Sequence, residues 1–254
     1  MKIKFLGTSG VQGIPVWNCN CNVCTSENSK NKRRRPVLLV EINDITMVID
    51  FGQDFRQQLI DNGIKKIDYA LLTHVHGDHM NGLEQLASQD DLKLLTSLEV
   101  FTDFTQGNSY VEWLKKRNSS IVVDVFENLN LNGVSIETVK LLHQKDFGDG
   151  GVNCTGFLFK SNNFKFAYIV DYCDIIDKEK LLGLDLIISD ANNWEPTGTG
   201  HVGVKGAVNF YQELKPKQML LTHINHRTEH SQIEEYVRKF GNISPAYDGL
   251  EINV

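Results

Sequence analysis

The sequence lacks any apolar run approaching the roughly 18 residues that a membrane-crossing helix requires, so nothing in it calls for a membrane. Its first residues, Met1-Lys2-Ile3-Lys4-Phe5-Leu6-Gly7, hold neither the apolar stretch nor the small-residue cleavage site of a secretory signal. A cytoplasmic location is the expectation. Positive charge is short as well: 26 Lys and Arg stand against 32 Asp and Glu, a net charge of −6, with no basic face. A long nucleic-acid polymer usually demands the opposite sign, which leaves a small anionic or neutral molecule as the expected substrate. The one basic run, Lys30 to Arg35, is expected to be a solvated loop. Cysteines number five, and an odd count fits reduced thiols or metal ligands better than a disulfide framework. Tandem repeats, low-complexity tracts and linker-like breaks are missing too. What remains, 41% hydrophobic and 23% charged residues, is the make-up of an ordinary globular protein, expected to form one α/β domain over residues 1–254.

Strands are predicted at 2–7, about 36–43, 45–50, 67–73 and near 98–101, with helices at about 53–62, 81–87 and 103–117. Further strands follow at 120–126, 133–141, 154–160 and 164–170, the pair Asn162-Asn163 making a hairpin turn. The remainder reads as a short helix (177–182), a buried strand (184–189), helices at 204–214 and 229–240 flanking a strand at 217–222, and a closing strand near 249–253. Paired strands early in each half, then strand–helix alternation, suit two sheets packed face to face with helices outside. The long loop from Thr8 to Pro36 is unusual inside a compact domain unless something else holds it.

The chemistry concentrates in Thr73-His74-Val75-His76-Gly77-Asp78-His79, which follows the apolar strand Tyr69-Ala70-Leu71-Leu72. Four ligand-type side chains within six residues have no packing value, and burying them without partners would be costly. Metal coordination satisfies them, and neutral imidazole with carboxylate suits zinc, manganese or iron. The pattern H-x-H-x-D-H after an apolar strand resembles the signature of the metallo-β-lactamase superfamily, whose fold is an αββα sandwich of two mixed sheets with outer helices. The resemblance implies two metals. His74, His76 and His143 would hold one; Asp78, His79 and His223 the other; Asp171 would bridge them. His143, Asp171 and His223 each follow an apolar strand, where layered α/β folds assemble their sites. Asp50, in Val48-Ile49-Asp50-Phe51-Gly52, resembles the family position that supports the metal loop from behind, against a plain strand-end carboxylate.

A second cluster, Cys19-Asn20-Cys21-Asn22-Val23-Cys24, lies inside the long loop. Three thiols at this spacing are a strong metal signal and leave a tetrahedral site one ligand short. His226, three residues past His223, is the natural fourth. A closed three-cysteine, one-histidine zinc site is structural, and would explain how the loop stays ordered. Cys154 and Cys173 lack partners at ligand spacing and are expected in the core.

Gly7-Thr8-Ser9-Gly10, Gly13-Ile14-Pro15, the cysteine element, Leu221-Thr222-His223-Ile224-Asn225-His226 and Tyr247-Asp248-Gly249-Leu250-Glu251-Ile252 are together similar to the PhnP-type phosphodiesterases, over essentially the whole chain and most weakly across about 88–135. That resemblance implies hydrolysis of small cyclic phosphodiesters such as 5-phosphoribosyl 1,2-cyclic phosphate, with two catalytic divalent metals (zinc or manganese), one structural zinc, and a dimer as a further expectation. His201, in Gly198-Thr199-Gly200-His201-Val202, matches the family's catalytic histidine, and Asp78 is expected both to bind a metal and to orient the nucleophile. His230 is expected to face solvent. Asp248 is read either as orienting a ligand histidine or as a turn residue. Rival readings are a tRNA 3′-processing nuclease, which would carry a basic tRNA-gripping arm; a glyoxalase-type thioesterase or lactonase, which would not explain the cysteine loop; and a PqqB-like cofactor-biosynthesis protein.

Overall fold

The computed structural model describes residues 1–105, 109–118, 120–143, 152–197 and 200–254. The first half contributes β1 (Lys2–Gly7), β2 (Val37–Ile42), β3 (Ile45–Ile49), β4 (Tyr69–Leu71), β5 (Lys93–Thr96) and β6 (Val122–Val125). The second contributes β7 (Asn128–Leu131), β8 (Val134–Leu142), β9 (Cys154–Lys160), β10 (Lys165–Ile169), β11 (Asp174–Ile175), β12 (Leu186–Asp190), β13 (Gln218–Thr222) and β14 (Ile243–Pro245), and β15 (Glu251–Asn253) returns to the first. One sheet runs β15-β1-β2-β3-β4-β5-β6; the other runs β11-β8-β9-β10-β12-β13-β14, with β7 paired to β8. Both are mixed: β3 through β6 are parallel, as are β10, β12, β13 and β14, and the remaining pairs are antiparallel.

The sheets face each other across a core in which Phe5, Leu38, Val40 and Met47 of one meet Phe157, Phe159, Phe166 and Tyr168 of the other. Helices α1 (Phe55–Asp61), α2 (Gly77–Met80), α3 (Leu83–Leu86), α4 (Leu98–Thr105) and α5 (Ser109–Arg117) belong to the first half. Phe55, Leu83, Val100, Phe104 and Leu114 from this group cover the outer face of the first sheet, packing with Leu39, Val48, Ala70 and Leu94. The outer face of the second sheet is covered by α6 (Gly203–Leu214) and α7 (His230–Val237), through Val204, Ala207, Val208, Ile233 and Val237. Four layers therefore bury both faces of each sheet. For that reason β2 is apolar nearly throughout, Leu38 and Val40 facing inward and Val37 and Leu39 outward. Burying each such side chain contributes about 1.5–3 kcal/mol. Strand β8 keeps its period of two along its length: Val134 and Ile136 join the inter-sheet core, Val139 and Leu141 the outer cluster, and the inner face turns polar at Thr138 and Lys140. No helix of the described residues is long and apolar enough to cross a membrane.

Several local expectations need correction. The strand expected near 98–101 is the helix α4, and the helix expected at 103–117 is α5 with the end of α4; its residues 106–108 lie outside the described residues. Val100 and Phe104 are spaced i, i+4 onto the first sheet, and Ser97 starts the helix, its carbonyl accepting from Phe101 N–H at 2.9 Å. Ser97 Oγ accepts from Val100 N–H at 3.4 Å. A Leu-Glu-Val-Phe-Thr run resembles a strand only until this packing is known. Strands β5, β7, β11 and β14 went unanticipated, whereas the Asn162-Asn163 hairpin is present, with Lys160 opposite Lys165.

The basic run is not a solvated loop. Arg33 is buried; its Nη1 donates to Thr8 Oγ1 at 2.7 Å and to the Ala246 carbonyl at 2.6 Å, and its Nη2 meets His230 Nδ1 at 2.9 Å. His230 is correspondingly buried rather than solvent-facing, because the arginine needs an acceptor there. Asp248 touches no ligand histidine: its carboxylate accepts from Thr8 Oγ1 and from Arg34 N–H, both at 2.7 Å. Together these groups tie the long loop to the C-terminal segment. Cys154 is in the core as expected, but Cys173 is only half-buried.

Candidate active site

Every candidate donor of the central cluster sits where a strand runs out. Past β4, the single turn of α2 folds the chain back, with Met80 N–H donating to His76 O at 3.1 Å and Asn81 N–H to Gly77 O at 3.0 Å. The turn lies so close to the end of β3 that a Cβ on Gly52 would stand 2.0 Å from Asp78 O. Only glycine fits there. Asp50 after β3, Asp171 after β10 and His223 after β13 all adopt left-handed backbone, with φ of 64°, 53° and 60°. In a residue bearing a Cβ this costs about 1–2 kcal/mol, and such strain persists where surrounding structure and function hold it.

The rings and carboxylates converge as the sequence suggested. His74, His76 and His143 form one group whose ligand atoms lie within 4.8 Å of one another, and Asp78, His79 and His223 form another. His74 Nε2 is 3.0 Å from His76 Nδ1, and the His143 ring centroid lies 5.3 and 5.0 Å from theirs. In the second group, Asp78 Oδ2 is 3.4 Å from both His79 Nε2 and His223 Nε2. Asp171 lies between: it groups with His74 and His79, and its Oδ2 is 2.9 Å from His79 Nε2 and 3.0 Å from His223 Nε2. Behind the cluster, Asp50 Oδ2 is 2.8 Å from His79 Nδ1, while its Oδ1 accepts from Thr73 N–H and Thr73 Oγ1, both at 2.9 Å. That is the supporting position expected of Asp50.

The electrostatics fit a cation. Burial works against the Asp171 carboxylate, yet the facing imidazoles of His223 and His79 hold it well below the usual range. At His223 burial opposes protonation, but Asp171, Asp190 and Asp78 outweigh it and raise the ring to about 10. These carboxylates demand positive charge, which a divalent ion supplies as well as imidazolium protons do. Donor geometry favours the ion. Asp171 Oδ2 is buried beside two ring nitrogens and makes an oriented hydrogen bond to neither. His79 Nε2 and His223 Nε2 face each other at 3.3 Å. Lone pairs converging from imidazole and carboxylate are the donor set of a divalent metal site.

The cysteine element closes as well. Cys19, Cys21 and Cys24 Sγ lie 3.4, 3.6 and 3.6 Å from His226 Nδ1, and the four form one potential ligand group. Burial pushes the Cys24 thiol up to about 11. At Cys21 burial is outweighed by the Cys24 backbone N–H, His226 and the neighbouring thiols, which bring it down to about 6. The loop reaches His226 through the bridge between Ser9 and Ile224.

His201 stands at the edge of the cluster, part-exposed, with Nδ1 3.2 Å from Asp190 Oδ1 and 3.4 Å from Asp171 Oδ1. Gly198 and Thr199 of its loop lie outside the described residues. Two residues of the site went unanticipated. Asp190, fully buried, is 3.2 Å from both His201 Nδ1 and His223 Nδ1. Asn192 Nδ2 lies 3.1 Å from His223 Nδ1 and donates to the His223 carbonyl at 3.1 Å. A carboxylate ending the apolar strand Leu186-Ile187-Ile188 was the available signal, identical in kind to that of Asp171.

Comparison with known proteins agrees with this architecture. Residues 46–224 match the beta-lactamase superfamily domain. An octanoyltransferase of Porphyromonas gingivalis is 25% identical over 99% of this chain, which spans about half (51%) of that protein. Among solved structures, a diphosphatase of the PhnP family superposes with a TM-score of 0.86 at 27% identity, covering 100% of this chain and 97% of that one. Zn(2+)-bound PqqB from Methylobacterium extorquens also reaches 0.86, at 19% identity with both chains fully covered, a likeness of fold. The four layers, the donor cluster at the strand ends and the matched domain agree that the chain belongs to the beta-lactamase superfamily, as a metallo-β-lactamase-fold hydrolase.

Proposed function

We propose that residues 1–254 form a single-domain, dinuclear metal-dependent phosphodiesterase acting on small cyclic phosphodiesters such as 5-phosphoribosyl 1,2-cyclic phosphate. The observation that carries this reading is the pairing of two donor groups around Asp171 with a carboxylate-held histidine, His201, at their edge. His74, His76 and His143 would hold one cation and Asp78, His79 and His223 the other, with Asp171 available to both; imidazole and carboxylate accept zinc or manganese alike. Cys19, Cys21, Cys24 and His226 would hold a third, structural zinc, four protein ligands being the full set of such a site. Likeness to the PhnP-family diphosphatase supports the phosphoryl substrate.

Bound divalent ions supply an activated water and positive charge against the phosphoryl oxygens. The chain's own residues do the rest. Asp78 accepts a hydrogen bond from the attacking water and orients it, and Asp50 keeps His79 in register through Nδ1. A diester's leaving oxygen needs a proton near neutral pH, and histidine is the usual donor. His201, whose ring burial would make harder to protonate but Asp190 and Asp171 make easier, is placed to give it. A small soluble substrate, cytoplasmic residence and homodimer formation complete the proposal; a membrane or a nucleic-acid polymer has no part in it. Whole-chain likeness to PqqB favours a second reading, a cofactor-biosynthesis protein. Turnover of bis(p-nitrophenyl) phosphate, the ribosyl cyclic phosphate and 2′,3′-cyclic nucleotides, set beside β-lactams and thioesters, decides: the proposal requires the phosphodiesters alone to react.

A further inference from the structure

Asp190 belongs to no motif of the sequence, yet it is a fully buried carboxylate at the heart of the site, within reach of Asp171, His201 and His223. Such a group is costly unless its oxygens are paired. Its position follows from the sheet. Strands β10, β12 and β13 run parallel, with Ile169 opposite Ser189 and Asp190 opposite Thr222. Three adjacent strand ends therefore deliver Asp171, Asp190 and His223 side by side. A single oxygen, Oδ1, lies 3.2 Å from His223 Nδ1 and 3.2 Å from His201 Nδ1. The two rings stack, their centroids 5.3 Å apart and planes 24° from parallel.

We infer that Asp190 is a positioning residue shared by two histidines, holding a hydrogen on Nδ1 of each, so that His223 turns the Nε2 lone pair toward the metal-binding cluster and His201 turns its Nε2–H toward the leaving oxygen. A carboxylate can only accept, so each nitrogen facing it must carry a hydrogen. The rival neighbour at His223 does not upset this, because Asn192 Nδ2 has the His223 carbonyl to donate to at 3.1 Å. The orientation of His223 agrees: its Nε2 is the atom near Asp78 and Asp171. At His201 the other acceptor, Asp171 Oδ1, is farther at 3.4 Å. One carboxylate thus couples metal ligand and proton donor. Outer carboxylates of this kind commonly change metal affinity by about 10- to 100-fold when removed.

This assignment rests on the phosphodiesterase reading only for its chemical step. In that step the oxygen of a water that has already given up one proton to solvent forms a bond to phosphorus, and the bond from phosphorus to the leaving oxygen breaks. The leaving oxygen keeps the electron pair and takes the proton from His201 Nε2, leaving the ring neutral; the other hydrogen stays on Nδ1, bonded to Asp190. Losing Asp190 should therefore hurt most where the leaving group is a poor one.

The test compares Asp190→Asn with wild type on two diesters and in one spectrum. On a 2′,3′-cyclic nucleotide, which must release an alkoxide, kcat should fall by about 100-fold or more. On bis(p-nitrophenyl) phosphate, whose aryl anion leaves unaided, the fall should be at least about ten times smaller, in keeping with a lost proton donor. Assayed at saturating metal, so that the weaker hold on His223 does not enter, the double variant with His201→Ala should be no worse than His201→Ala alone on the nucleotide. Equal losses on both substrates, or additive effects in the double variant, would reduce Asp190 to a structural part and overturn the inference. Independently, long-range 1H–15N correlation of zinc-loaded wild-type protein should show His201 and His223 hydrogenated at Nδ1; a bare Nδ1 on either refutes the assignment even if the variant fails to fold. Wild-type protein that hydrolyses neither diester while showing the expected tautomers would instead indict the phosphodiesterase reading.

Discussion

Replacing Asp50 by asparagine perturbs the shortest supporting contact on His79 Nδ1, at 2.8 Å against 3.4 Å for Thr73 Oγ1, and with it the ability of His79 to bind a metal. Asp50 is fully buried, accepts from Thr73 N–H and Oγ1 at 2.9 Å, and stands 2.8 Å from His79 Nδ1. Asparagine fits the same volume and tolerates the left-handed backbone at φ 64°. Its oxygen can keep both Thr73 bonds, so little folding energy is lost there. Its amide nitrogen then faces His79, and a donor opposite Nδ1 moves the ring hydrogen to Nε2. That nitrogen lies 2.9 Å from Asp171 and 3.4 Å from Asp78; carrying a hydrogen, it has no lone pair for a cation. Restoring the binding tautomer costs hydrogen bonding, and second-shell losses commonly weaken binding about 10- to 100-fold, which is about 1.4–2.8 kcal/mol. Equilibrium dialysis against a metal buffer, read by elemental analysis, should show one of two labile equivalents weakened by that factor. The melting temperature of the metal-free protein should drop only slightly, since about 1–3 kcal/mol is lost only where a buried partner is left unsatisfied. Unchanged affinity for both labile metals would refute the claim that Asp50 sets the His79 tautomer.

Other outcomes follow from the same geometry. Purified protein should hold about three metals per chain, two removed by mild chelation and one resistant, since a closed three-thiolate site contributes directly to folding; one metal or none counts against it. Cys21→Ser should remove the resistant metal and lower thermal stability, with activity per folded molecule largely kept. His201→Ala should cut turnover of alkoxide-releasing diesters about 100- to 10,000-fold with metal content unchanged; metal loss would mean the residue is a ligand. His230, buried against Arg33, is lowered by burial and then by Arg33 to about 4 from the ordinary 6.5. Its contribution to stability is full above pH 6.5 and is lost as pH falls toward 4, so denaturant melts of His230→Gln should lose less between pH 7 and 5 than wild type. Equal acid sensitivity would show that His230 is not held neutral.

The site was legible in the sequence where its residues announce themselves locally. His74, His76, Asp78 and His79 lie within six residues, and His143, Asp171 and His223 each empty an apolar strand, a pattern that survives without coordinates. Cys19, Cys21 and Cys24 were legible for the same reason, and His226 by the need for a fourth ligand. Asp190 carried the same strand-end mark as Asp171 but lacked a motif; only the parallel register of β10, β12 and β13 brings it to His201 and His223. The basic run around Arg33 and the residue His230 were misread because what decides burial is a partner about 200 residues away along the chain, as between Arg33 and His230; of the two readings of Asp248, the turn is the one that holds. Leu98–Thr105 shows the same limit in the fold: its residues suit a strand, and packing of Val100 and Phe104 makes it a helix.

The central claim is that remote donors share two cations across Asp171. Anomalous diffraction from crystals of the metal-loaded protein tests it most directly. Two peaks should flank Asp171, one among His74, His76 and His143 and one among Asp78, His79 and His223, with a third enclosed by Cys19, Cys21, Cys24 and His226. A fully loaded crystal with no peak beside Asp171, or with metal held only by the cysteines, would contradict the account.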